Sequence, residues 1–432
     1  MKDLKLYRGF EFDSQTKMIK MQEDRLREHI AYCRDNSPYY KRLLSGLRID
    51  FRNIDIKGLS ELPLTDKCDI EAHNDDFIAV PRKKIIDIAL SSGTTGKPIK
   101  MMYTEHDINR LAYNEEQALR RCGISDEDVV LLTCTIDRCF IAGLAYLSGV
   151  QKLGASAIRN GLSSLESHRN LIKDMCPTVI IGVPSFLKKL GLHLMENNMD
   201  PKKTSVSKLV CIGEPLRDNM LKSLGIDAAL EKIWQARTYS TYASSEIVTT
   251  FCECATQKGG HITSDLGIVE IVNDEGEVLP DGSVGEVVVT PLVVEGMPLL
   301  RYKTGDVSFL NNEPCECGSF SPRLGPILGR KKQMLKIRGT TLYPQMVFNV
   351  LDGMETVKEY YMCAVSRNEM SDELTIYIAP ENEHSLDVEA IRNTLQARLR
   401  VSPEIVIVDN DTVQKQVYTK KSRKPIRFID RR

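Results

Sequence analysis

The chain has 432 residues, and its 58 Lys plus Arg nearly balance its 59 Asp plus Glu, for a formal net charge of −1. That length exceeds what one hydrophobic core usually organises, so at least two domains are expected. The near-zero charge sets up no global field toward nucleic acid or a membrane surface, and the longest apolar run, at 140–150, falls well short of the roughly 20 residues of a spanning helix.

The N-terminus, Met1-Lys2-Asp3-Leu4-Lys5, lacks the apolar core of a signal peptide, so a cytoplasmic protein is expected. From there to about residue 80 the pattern is helical and polar, with Met18, Met21, Leu26, His29, Ile30 and Cys33 near helical spacing. A β-branched run, Ile85-Ile86-Asp87-Ile88-Ala89-Leu90, then leads into a Gly/Thr-rich loop, and Ile99-Lys100-Met101-Met102-Tyr103 resumes as a strand. Thr104 and Asp107 have capping-box spacing. The helix they start carries Ile108, Leu111, Ala112, Leu119 and Cys122 on one face and stops at Gly123. Strand-like runs at 129–134, 178–183 and 208–212 alternate with helical ones, the mark of α/β layers. Hairpins follow over 267–290, with turns at Asn273-Asp274-Glu275-Gly276 and Pro280-Asp281-Gly282. The last hundred residues form a separate block with strands near 361–365, 374–378 and 404–408 and a helix carrying Ile391, Leu395 and Leu399. The expected fold is mixed α/β: a large N-terminal domain of layered sheets and helices over 1–328, and a small, mobile α+β domain over 329–432.

The loop Ser91-Ser92-Gly93-Thr94-Thr95-Gly96-Lys97-Pro98 carries the strongest chemical signal. Its glycines let backbone N–H groups approach an anion, its hydroxyls donate hydrogen bonds and Lys97 adds charge, which together make a phosphate cradle. It is not a Walker A loop: the glycine-to-lysine spacing is too short, Pro98 follows the lysine, and a strand comes next. Cysteine usage gives a second signal. Eight of the twelve cysteines stand singly and read as buried thiols. Cys252, Cys254, Cys315 and Cys317 cluster, and without a secretory signal that cluster points to metal before disulfide.

With these motifs the chain resembles the adenylate-forming superfamily of acyl-CoA synthetases, luciferases and peptide-synthetase adenylation domains. The resemblance implies that residues 91–97 hold the β- and γ-phosphates of ATP. Tyr242-Ala243-Ser244-Ser245-Glu246 resembles the family's Y-G-x-S/T-E motif, with the tyrosine beside adenine and Glu246 helping to bind magnesium (Mg2+); Ser240 and Thr241 precede it on the nucleotide side. Tyr302-Lys303-Thr304-Gly305-Asp306 is similar to Y-R-T-G-D, whose aspartate takes the ribose hydroxyls. Gly329-Arg330-Lys331-Lys332 is similar to the hinge motif, with Arg330 at the nucleotide and Lys332 at the pivot, and Gly339 matches the glycine of the swinging loop. Carboxylates suit both tasks, since they accept both hydrogen bonds of a diol and bind a hard cation.

Within the superfamily the chain resembles the phenylacetate–CoA ligase branch. Gly213-Glu214-Pro215 is similar to its adenine-side segment, and Arg423-Lys424-Pro425-Ile426-Arg427-Phe428-Ile429-Asp430 to its ending, which puts Lys424 at the catalytic lysine. Glu253-Cys254 through Gly260-His261, with Cys315-Glu316-Cys317-Gly318, matches that branch's cysteine pattern. The implied ligands of a closed structural zinc (Zn2+) are Cys254, His261, Cys315 and Cys317, with Cys252 as an alternative to Cys254. Such a site would pin the hairpin region to the strand leading into the hinge. Phe140, Gly143 and Ala243 fall where the branch binds its acid, but Asp137 stands where those enzymes have tyrosine and Ala243 where the family has glycine.

The implied activity is an ATP-dependent acid–CoA ligase, acting on an aryl or other small carboxylic acid such as phenylacetate through an acyl-adenylate. Its partners would be that acid, ATP and coenzyme A, not nucleic acid or membrane, with a homodimer left open. Two other readings stay open: an adenylating enzyme that loads a carrier-protein thiol, and a non-catalytic, zinc-stabilised nucleotide-binding module.

Overall fold

The computed structural model describes residues 10–91, 99–337, 340–354, 356–368, 371–382, 386–418 and 426–432. The alternating strand and helix signals of the first three hundred residues become a nine-stranded mixed sheet. Five parallel strands lie in the order Ser156–Arg159, Val129–Leu132, Val179–Gly182, Lys208–Ile212 and Arg237–Ser244. Antiparallel strands Thr249–Cys252, Gly260–His261, Arg323–Leu324 and Leu310–Asn311 extend it on one side. Val130, Leu131, Leu132, Val179, Ile180 and Ile181 are all buried, as expected of parallel strands covered on both faces. A second sheet comes from the expected hairpin region, with Gly285–Pro291 pairing antiparallel to Gly267–Val272 on one side and to Tyr302–Ser308 on the other. The strands Ile85–Ser91 and Ile99–Thr104 form an antiparallel hairpin whose last pair, Ser91 with Ile99, closes the base of the glycine-rich loop.

The chain divides into two units, Met1–Lys222 with Leu230–Ile327, and Leu328–Arg432 with Ser223–Ala229. In the first, Leu26, Ile30 and Cys33 of the helix Gln15–Asn36 share a core with Met101, Tyr103, Val287, Val289 and Leu299. In the second, a four-stranded sheet has the order Glu404–Ile407, Ser371–Pro380, Val357–Asn368, Phe428–Asp430, with an antiparallel central pair and parallel outer pairings. Ile391 and Leu395 of the helix Val388–Leu399 pack with Met362, Ala364 and Ile376 in its core.

The helix Glu105–Arg121 starts at the Thr104/Asp107 capping box, where Asp107 Oδ2 accepts from the Thr104 N–H at 2.9 Å. It ends before Gly123, whose φ of +69° favours glycine. Its burial departs from a single apolar face: Arg110, Asn114, Glu115 and Glu116 are buried too. Arg110 donates to the carbonyls of Leu292, Val248 and Leu266 and to Thr249 Oγ1, so it ties this helix to the strands beneath. The expectation that the single cysteines are buried holds for Cys33, Cys122, Cys134, Cys211 and Cys363. Cys68, Cys139 and Cys176 are exposed instead, because they fall in the first turn of a helix, in a loop and at a helix C-cap. No helix among the described residues is long and apolar enough to cross a membrane.

Candidate active site

Ligands of open α/β sheets bind beyond the carboxyl ends of the parallel strands. Three of the motif segments lie there: the loop 133–140 after Val129–Leu132, Gly213-Glu214-Pro215 after Lys208–Ile212, and Tyr242 to Glu246 at the end of Arg237–Ser244. The hairpin Ile85–Ser91/Ile99–Thr104 joins them, since Leu90 donates its N–H to the Cys139 carbonyl at 2.9 Å and Tyr103 donates its hydroxyl to the Ser245 carbonyl at 3.0 Å.

Glu246 is the centre of a charged cluster. Its Oε1 accepts from Ser91 Oγ at 2.5 Å and from Lys67 Nζ at 3.2 Å, and Lys67 also lies 3.1 Å from Ser91 Oγ. Burial pushes the Glu246 carboxyl up, but the Lys67 charge and the Ser91 hydrogen bond outweigh it and hold the group below the usual carboxylate range. Glu246 is therefore an anion at neutral pH, a fit donor for a hard cation such as magnesium.

Lys67 was missed in the sequence. It is the first residue of the helix Lys67–His73, whose capping box is Asp66 with Asp69. A cation at a helix N-terminus opposes the macrodipole, and that mismatch is the signal that an acid waits nearby. Thr65 fixes its approach: the Thr65 N–H donates to Arg301 O at 3.1 Å, and the Lys303 N–H donates to Thr65 O at 2.8 Å. The lysine thus enters on the strand that bears Asp306.

Tyr242 donates its hydroxyl to Asp306 Oδ2 at 2.8 Å, and the Asp306 N–H donates to Thr304 Oγ1 at 3.1 Å. The pair brings the expected adenine and ribose residues together. Thr241 Oγ1 donates to the Cys211 carbonyl at 3.1 Å, and the Ser240 N–H donates to Glu253 at 2.9 Å, so both hold neighbouring strands. Glu214 has its carboxylate on Ser185, accepting from the N–H at 2.9 Å and from Oγ at 2.7 Å, where it caps the helix Pro184–Glu196. Phe140 is the half-buried N-cap of the helix Ile141–Leu153, and Ala243 is exposed at the end of its strand. Gly143 is a packing residue: a Cβ there would lie 2.0 Å from the Thr135 carbonyl oxygen. Arg330 and Lys332 are both exposed, in the second unit. Ser92, Gly93, Thr94, Thr95, Gly96, Lys97, Gly339 and Lys424 lie outside the described residues.

Cys254, His261, Cys315 and Cys317 come together with all four ligand atoms within 4.8 Å of one another. His261 Nε2 is 3.3 Å from Cys254 Sγ and 3.6 Å from Cys317 Sγ, and Cys254 Sγ is 3.8 Å from Cys315 Sγ. Tetrahedral zinc with Zn–S near ~2.3 Å and Zn–N near ~2.0 Å implies edges of about 3.8 Å for S···S and about 3.5 Å for S···N. The set fits. Ser321 Oγ lies 2.8 Å from His261 Nδ1 and orients the ring with Nε2 toward the thiols. Burial, with Arg121 and Arg323, lowers the imidazole to about 3, so Nε2 keeps a free lone pair. Cys252 faces elsewhere, its Sγ 3.2 Å from that of Cys122. The four residues tie the edge strands of the nine-stranded sheet to the 312–322 loop. The expected pinning of the hairpin region is therefore corrected, because Gly267–Pro291 belongs to the other sheet.

Comparison with known proteins agrees with this geometry. The sequence profile of the AMP-binding enzymes matches residues 44–296, and that of the AMP-binding enzyme C-terminal domain matches 339–432. The chain belongs to the AMP-binding enzyme family. It is 34% identical to a phenylacetate-coenzyme A ligase of Thermus thermophilus, over 84% of this chain and 81% of the relative. It is 29% identical to one of Aromatoleum evansii over 97% and 96%. A crystal structure of 2-hydroxyisobutyryl-CoA ligase in the postadenylation state shares the fold with a TM-score of 0.86 at 20% identity, covering 98% of this chain and 91% of that one. Within the family the chain is phenylacetate–CoA ligase-like, an AMP-forming acid–thiol ligase.

Proposed function

We propose that the protein activates a small carboxylic acid with ATP and transfers the acyl group to coenzyme A. The grouping of Lys67, Ser91 and Glu246 at the base of the phosphate loop, beside the Tyr242–Asp306 pair, carries this reading. In the first half-reaction a carboxylate oxygen attacks the α-phosphorus, the bond to the bridging oxygen of the β-phosphate breaks, and pyrophosphate leaves. Both reactants are anions, so the barrier falls by charge neutralisation and positioning. Lys67, Lys97 and Lys424 supply positive charge, Asp306 holds the ribose, and Tyr242 lies against adenine. Magnesium held by Glu246 would offset phosphate charge. In the second half-reaction the thiol sulfur of coenzyme A attacks the acyl carbonyl, its proton passes to solvent, and AMP leaves. Hinge motion at Lys332 would withdraw Lys424 between the two. Cys254, His261, Cys315 and Cys317 would hold one structural zinc. The test is pyrophosphate release across a panel of acids, with and without coenzyme A. Acid-dependent release and a thioester product are expected; an adenylate that coenzyme A does not discharge would point to a carrier-protein thiol.

A further inference from the structure

Thr241 and Ala243 are two residues apart on the strand Arg237–Ser244, so their side chains share one face of the sheet. Tyr239 shares that face and packs in one buried core with Tyr146, Val150 and Leu153 of the helix Ile141–Leu153, so this helix covers it. Tyr146 is 3% exposed, and its hydroxyl lies 3.3 Å from Thr241 Oγ1. Thr241 spends its own proton on the Cys211 carbonyl, so the phenol donates and Thr241 accepts. One rung outward the arrangement changes. Ala243 is exposed, and Phe140, at the N-cap of the same helix, is half-buried. Between Phe140 and Tyr146 the helix rises about 9 Å, while the strand advances about 7 Å from Thr241 to Ala243. Solvent thus reaches Phe140 and Ala243, while the next rung inward is filled by the buried Tyr146 ring. The helix packs tightly on the 133–140 loop as well, since a Cβ on Gly143 would lie 2.0 Å from the Thr135 carbonyl oxygen.

We propose that Tyr146 is the floor of the acid pocket and restricts the enzyme to short aliphatic acids over arylacetic acids. This rests on the reading above, with the acid between Phe140 and Ala243. A ring beyond the α-carbon would need the volume that the Tyr146 ring fills. Thr241 then acts as a positioning residue that holds the ring down, and Gly143 lets the helix pack against the 133–140 loop.

Acid-dependent pyrophosphate exchange with acetate, propionate, butyrate, hexanoate and phenylacetate, on the full chain and on Tyr146→Phe, Tyr146→Leu and Tyr146→Ala, tests the proposal. The native chain should favour the short acids, and Tyr146→Phe should keep that order because the ring remains. Tyr146→Leu and Tyr146→Ala should raise the phenylacetate-to-propionate ratio of kcat/KM at least about tenfold, mainly through KM, the scale of discrimination that pocket methylenes give. Fluorescence of Trp234, the single tryptophan, checks folding, and the milder leucine variant keeps the test open where the alanine variant unfolds. An unchanged ratio in folded Tyr146→Leu, or native use of phenylacetate equal to that of propionate, overturns the proposal. Exchange with none of the acids in any variant, the native chain included, would overturn the ligase reading itself.

Discussion

Glu115→Gln should make the larger unit more stable at high pH, by an amount the structure sets. Glu115 is completely buried between the helix Glu105–Arg121 and the strand Thr249–Cys252. Thr250 donates to its Oε1, while Oε2 has no hydrogen-bond partner among the described residues. Oε2 is itself shielded from solvent, and across the helix pair a Cβ on Gly149 would meet the Glu115 Cβ at 2.2 Å. Burial, opposed by hydrogen bonds from Thr250 and Asn114, raises the carboxyl from 4.5 to about 7. Because the folded value is the higher one, stability is fully present below pH 4.5 and is lost as pH rises toward 7. Above that it levels off, since both states are then ionised. At about 1.36 kcal/mol per unit the full window costs on the order of 3 kcal/mol, most of it lost between pH 5 and pH 8. Glutamine keeps the acceptor for Thr250 and cannot ionise. Its own packing cost is the same at both pH values and cancels in the comparison. Urea unfolding followed by Trp234, which is buried in the larger unit with its indole N–H 3.1 Å from the Leu187 carbonyl, reads that unit directly. Native and variant curves that run parallel from pH 5 to pH 8 would refute the argument.

Lys67→Met should lower acid-dependent pyrophosphate exchange by about 100-fold or more, the scale for removing one preorganised charge, with Lys67→Arg recovering part; a loss of only a few-fold would remove Lys67 from the charge cluster. Lys424→Ala should abolish most adenylation yet spare thioester formation from supplied acyl-adenylate, measured by chromatography; adenylation near the native rate would contradict the tail alignment. Protein purified without chelator should hold one zinc per chain by elemental analysis, and Cys315→Ser should lose it and lower Tm more than it slows chemistry. Lys332→Pro fixes φ at the hinge. It should leave adenylation largely intact and slow thioester formation at least about tenfold, a barrier of roughly 1.4 kcal/mol, whereas equal losses in both halves would indicate misfolding.

Local order in the chain was legible because it is written in local spacing. The Thr104/Asp107 capping box, the strand on either side of the glycine-rich loop, the hairpin turns and each of the two arms of the metal-ligand pattern, Cys254/His261 and Cys315/Cys317, depend on residues close together in the chain. The glycine-rich loop and the cysteine cluster also pointed to a chemistry through their residue types, whereas the roles of Tyr242, Glu246, Asp306 and Lys424 came from the family resemblance. What the sequence left open depended on sheet order. Lys67 and Glu246 lie 179 positions apart and Tyr242 and Asp306 lie 64 apart, and they meet only because the crossovers bring the carboxyl ends of particular strands beside the second sheet. Cys254 and Cys252 differ by two positions, so the spacing could not choose between them. The structure chose, by giving Cys252 to Cys122 and turning Cys254 toward His261. The buried polar face of the helix Glu105–Arg121 was hidden for the same reason: Arg110 and Glu115 look like solvent residues until the strands that supply their partners are stacked on them. Propensity, capping and motif chemistry are short-range and survive in one dimension, whereas desolvation, charge pairing and the depth of a pocket are set by neighbours that only the folded chain brings into contact.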